Sequence, residues 1–119
     1  MAYSALEAMV GWLASLDYRA STVVPPDAPG EFVTVERTGG GVDSYVDKPV
    51  FAVQAWAATD ARAEEIANAI RYAALTTAPP AGIHSFTGFD GPYRFYDEST
   101  RSPRHQLVIY ASAQLAIND

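Results

Sequence analysis

Residues 50–75, VFAVQAWAATDARAEEIANAIRYAAL, change hydrophobic period once, and that change restricts the folds open to the chain. Over residues 50–57 Phe51, Val53, Ala55 and Ala57 fall on one face, and Val50, Ala52, Gln54 and Trp56 on the other, as in a strand. Thr59 and Asp60 follow, and either side chain can accept from the N–H groups that open a helix. From Ala61 the spacing becomes three and four. Ala63, Ile66, Ala67, Ile70 and Ala74 form a stripe, while Arg62, Glu65, Asn68 and Arg71 point elsewhere, the pattern of an amphipathic helix. A stripe made mostly of alanine lets this helix approach a sheet or another helix closely. The segment reads as scaffold.

The residues before it supply a second helix and one or two strands. Ser4 and Glu7 have capping-box spacing, so each can satisfy a backbone N–H of the first turn. Leu6, Met9, Val10, Leu13 and Leu16 then make one stripe, with Trp12 off its centre and available to cover a sheet edge or a partner chain. Gly11 costs a helix roughly 1 kcal/mol relative to alanine, which predicts close packing there. Residues 17–24 form a short connection with a strand at its end, and Pro25, Pro26, Pro29 and Gly30 exclude regular structure. Residues 31–37 alternate as a strand, with Val33 and Val35 opposite Phe32 and Thr34. Residues 38–48 read as a long hairpin-like loop, glycine-rich at Gly39, Gly40 and Gly41 and acidic at Asp43 and Asp47. Strands joined this way pair antiparallel.

After the alanine-rich helix, Ala78, Pro79, Pro80 and Gly82 end it. Residues 83–89 predict a strand, and 93–96 either continue it after a bend or form another. Gly88, Gly91 and Pro92 argue against an uninterrupted strand. Residues 97–105 read as a polar loop. Over 106–116, Leu107, Ile109, Ala111, Ala113 and Leu115 alternate with Gln106, Val108, Tyr110, Ser112 and Gln114. The order predicts an α+β fold, a two-layer sandwich with a mainly antiparallel sheet and two helices packed on one face. A length of 119 residues suits one domain, 1–119, with one core. The other sheet face would carry Trp56, Tyr110, Val108 and Phe32, more apolar surface than a solvated face usually shows. A partner chain is its expected cover.

Composition excludes several functions. No cysteine is present, which removes disulfides, thiolate catalysis and cysteine-ligated zinc and fits a reducing cytoplasm. No basic segment precedes an apolar run at the N-terminus, and no stretch reaches ~18 apolar residues, so neither export nor membrane spanning is expected. A net charge of −6 repels a phosphate backbone and argues against a dedicated nucleic-acid binder.

Little in the chain points to chemistry. The triple glycine lacks the lysine and hydroxyl of a Walker loop and the spacing of a dinucleotide fingerprint. His84 and His105, the only histidines, have no second histidine at metal-binding spacing. Asp43, Asp47 and Asp90 form no EF-hand loop, and no serine sits in a nucleophile elbow. No catalytic, cofactor or metal site is therefore expected, and the chain does not read as an enzyme. The arginines Arg94, Arg101 and Arg104 have two readings: a solvated loop balanced by Asp97 and Glu98, or a contact surface between chains. A small α+β ligand-binding domain or enzyme remains the alternative. It would require His84, Asp90 and Arg94 to converge in a pocket between sheet and helices.

The segment GGGVDSYVDKPVFAVQAWAATDARAEEIANAIRYAAL resembles the tail terminator proteins of long-tailed, siphovirus-type bacteriophages. That family is similar in length, with a glycine-containing polar loop before a strand and an alanine-rich helix after it. Asp47, Lys48 and Pro49 echo its polar–proline lead-in, and the first helix and the strand QLVIYASAQLAI match its layout. The resemblance implies a structural virion protein with no cofactor, at the head-proximal end of the tail and assembled in the host cytoplasm. It implies a homohexameric ring that binds the tail tube protein, ends tube polymerisation and offers a surface to a head-completion or neck protein. DNA would pass the lumen without specific binding, and no membrane is involved. A ring uses one patch of each subunit against a different patch of the next. The expected interface residues are Trp56 and Tyr110 on the sheet, with Arg94, Arg101 and Arg104 meeting Asp43 or Asp47 next door.

Overall fold

The computed structural model describes residues 3–27, 30–95 and 102–116. Helix α1 spans Ala5–Ser15. It begins where the Ser4 hydroxyl accepts from the Glu7 N–H at 3.1 Å, as the capping spacing predicts. Met9 and Leu13 on its stripe are fully buried. Trp12 belongs to that buried stripe rather than beside it, with its ring 5.1 Å from that of Phe86. Gly11 corrects another expectation: a Cβ there would meet nothing within 4 Å, so its position reflects no close contact.

Two strands follow, β1 at Ala20–Ser21 and β2 at Phe32–Gly39. They pair parallel, Ala20 against Val33. The expected loop at 38–48 is itself a hairpin, with β3 at Val42–Asp43 and β4 at Val46–Asp47. Its two-residue turn, Ser44 and Tyr45, has φ of 52° and 66°, the left-handed pair that tight hairpins use. Glycine or asparagine usually fills such positions, so Ser-Tyr gave no turn signal.

Strand β5, Val50–Trp56, runs antiparallel to β2 as predicted. Helix α2, Asp60–Thr76, starts at an N-cap Thr59 whose side chain accepts from the Arg62 N–H. Its five stripe residues Ala63, Ile66, Ala67, Ile70 and Ala74 are all buried. Strand β6 covers Ile83–Arg94 without a break, against expectation. Three register shifts against β7 accommodate the glycines and Pro92, as bulges do on a bending strand. Strand β7, Arg104–Gln114, pairs with β4 and β5 along one edge and with β6 along the other.

The lateral order is β1, β2, β5, β7, β6, with β4 continuing beyond β5 along β7 and β3 outside β4. Among the described residues the fold is thus α+β, with two helices and a mixed, strongly curled sheet of seven strands that forms a half-barrel. One core joins the stripes of both helices to Val33, Val35, Phe51, Val53, Ala55, Leu107, Ile109, Ala111 and Ala113. Each fully buried large apolar side chain among these contributes roughly 1.5–3 kcal/mol relative to exposure.

Candidate functional site

The opposite sheet face is built in cross-strand rows. In the first, Phe32, Trp56 and Arg104 are register partners on β2, β5 and β7. Phe32 and Trp56 stack at 5.2 Å, and the Trp56 indole N–H donates to the Thr34 hydroxyl at 3.2 Å. The Arg104 guanidinium lies 4.5 Å from the Trp56 ring centroid and 4.8 Å from that of Phe95, within cation–π range of both. Its Nε also donates to the Phe95 carbonyl at 3.2 Å. Trp56 is 5% and Arg104 8% exposed. The expectation of an uncovered aromatic face is corrected here, because the chain's own side chains cover this row.

The next row is polar. The Gln54 amide donates to Gln106 at 2.9 Å, and the Gln106 amide donates to the Tyr93 hydroxyl at 2.7 Å. Further along β7, the Tyr110 hydroxyl donates to Asp90 at 2.6 Å, which raises the tyrosine pKa above its ordinary value. Tyr110 keeps a partly exposed ring. An open hollow of about 290 Å³ beside these rows is bordered by Val23, Val24, Thr34, Gln54, Trp56 and Arg104.

The expected acidic partners divide. Asp43 is exposed on the hairpin. Asp47 is buried and forms a bidentate pair with Arg37 of the same chain, both contacts at 2.7 Å. Those hydrogen bonds hold its carboxyl below the usual aspartate range and raise the Arg37 pKa. Arg94 lies 3.5 Å from Asp60 at the start of α2. His105 is buried there too, with Nε2 3.9 Å from Asp60 and, among the described residues, no partner to Nδ1. Arg101, with Asp97 and Glu98, lies outside the described residues.

The structure does not bring His84, Asp90 and Arg94 together. His84 stands beside the register pair Ile83–Ala113, and Arg94 pairs with His105 at the other end of β7. Eight strand residues separate those levels, about 26 Å at ~3.3 Å per residue. Among the described residues, no three His, Asp or Glu side chains gather as a metal site, and no helix is long and apolar enough to cross a membrane.

Exposed apolar side chains lie in places the sequence did not single out. Tyr45 is 86% exposed at the hairpin tip, beside exposed Val42. On α2, Tyr72 is 69% and Leu75 65% exposed. The stripe itself carried the signal for the second pair, since Tyr72 falls half a helical turn away from Ile70 and Ala74. No family model matches the chain, and no curated protein matches it in sequence.

Proposed function

We propose that this chain is a structural subunit of a phage tail, a tail terminator that assembles as a hexameric ring on the end of the tail tube. In that role it stops tube growth and presents a surface to the head-completion or neck protein. The sheet and its helices act as a two-layer block, mainly antiparallel with both helices on one face, and the blocks tile around the axis. The observation that carries this reading is that exposed apolar side chains among the described residues gather in separate patches, Val42 with Tyr45 and Tyr72 with Leu75 among them. A head-to-tail ring needs two unlike patches on each subunit. The excess of acids over bases suits a lumen through which DNA slides without being gripped.

The test is electron microscopy of purified protein mixed with growing tail tubes. Rings seated on tube ends, and tubes held to one length, are the expected result. A protein that stays monomeric at high concentration and leaves tube length uncontrolled refutes the proposal.

A further inference from the structure

Resting on the ring reading above, we propose that the β3–β4 hairpin tip of one copy, Val42 and Tyr45, seats on the α2 surface of the next copy formed by Tyr72 and Leu75. The occupant of each patch is thus a second copy of this chain, joined head to tail.

Four observations carry this contact. The first is lateral position. Strand β4 pairs with one edge of β7 and β6 with the other, so the hairpin lies on the β4 flank of the sheet. The side of α2 that carries Arg71 faces the opposite flank. Arg71 of α2 donates to the Gly91 carbonyl in β6, whereas Arg62 reaches Glu31, next to β2. Leu75, four residues after Arg71, shares the β6-facing side of the helix.

The second observation is level. Asp47 of the hairpin pairs with Ala113 of β7, and so does Ile83 from the other side. Gly82, reached by a short link from the end of α2, accepts from the Gln114 N–H. The hairpin and the C-terminal end of α2 therefore stand near the same height along β7. Two unlike patches on opposite flanks can join copies head to tail, and such a contact closes into a ring when the rotation between neighbours closes.

The third observation is backbone conformation. Tyr45 holds φ of 66°, a left-handed geometry that disfavours a side chain by about 1–2 kcal/mol relative to glycine. An aromatic kept at such a turn, with its ring in solvent, is a poor choice for folding alone.

The fourth is charge. Asp43 sits between Val42 and Tyr45 in the exposed tip, while Arg71, adjacent to Tyr72, donates among the described residues to two neutral acceptors, the Gly91 carbonyl and the Asn68 side chain. Neither acceptor cancels its charge, and an incoming carboxylate does.

Because the chain has no cysteine, Tyr45→Cys and Leu75→Cys introduce the only thiols. The double variant, treated with a short bis-maleimide, should give a ladder of covalent multimers on a denaturing gel. A mixture of the two single variants should give a dimer that neither gives alone. In parallel, Tyr45→Gly should keep or raise the thermal midpoint while shifting the concentration midpoint of ring assembly upward by at least about tenfold, as loss of an aromatic anchor does. Rings seen by microscopy without a 45–75 product, dimers formed by Tyr45→Cys alone, or undiminished assembly of Tyr45→Gly overturn this contact and leave the ring reading standing. Protein that is monomeric at every concentration and absent from tube ends overturns both.

Discussion

Replacing Asp47 with asparagine tests what fixes the base of the hairpin. The carboxylate meets Arg37 through two contacts of 2.7 Å, with side chains 9% and 33% accessible. Breaking a fully buried pair costs ~3–5 kcal/mol, and an exposed pair contributes ~0–1 kcal/mol. A pair with one buried and one partly wetted partner falls between, at about 2 kcal/mol. With unfolding entropy near 2.1 cal/mol/K per residue, a chain of this length has about 0.25 kcal/mol/K at its midpoint, so Asp47→Asn should lower the Tm by about 8 °C. The assay is calorimetry of both proteins from pH 7 to pH 2.5. Arg37 depresses the folded-state pKa of Asp47. Its contribution is therefore complete above the ordinary aspartate value near 4 and is lost as pH falls through the lowered one. The gap between wild type and variant should thus be widest at neutral pH and close in acid. A loss under ~0.5 kcal/mol at pH 7, or one equally large at pH 2.5, refutes the assignment.

Two further substitutions probe the same scaffold. At Gly40, φ is 94° and an added Cβ would stand 1.9 Å from the Lys48 carbonyl oxygen. Gly40→Ala should therefore lower stability by about 3 kcal/mol in urea unfolding and raise hydrogen exchange across the hairpin, because backbone must move to admit it. Trp56→Ala removes the centre of the Phe32–Trp56–Arg104 row and should cost about 3–5 kcal/mol, read from the denaturant midpoint with an unchanged slope.

The helices and the helix-facing sides of the strands were legible because one hydrophobic period ruled each of them. The α2 stripe and the alternation of β7 predict burial residue by residue. The hairpin tip was not legible, since Ser44 and Tyr45 adopt left-handed geometry without glycine or asparagine to announce it. Strand β6 was read as broken for a related reason: its glycines and Pro92 look like breakers until β7 supplies partners on either side of each register shift. Alternation places Trp56 on the second sheet face but does not tell what covers that face, and the polar loop predicted over 97–105 hides that Arg104 begins β7 and covers it. Their mutual stacking depends on the register between two strands, which no single segment encodes. Exposure of Tyr72 was readable from helical phase alone, whereas its place relative to the hairpin depends on the sheet order.

The strand at the middle of the sheet, β7, is also the last of the seven to leave the ribosome. Until residue 114 has emerged, β5 and β6 have no common neighbour, and the floor beneath α2 is missing its central plank. Nascent chains therefore carry a greasy, half-built sheet until β7 appears, and closure comes as one step that zips both halves together. Two chains made side by side meet in that window, before β7 of either has claimed the gap.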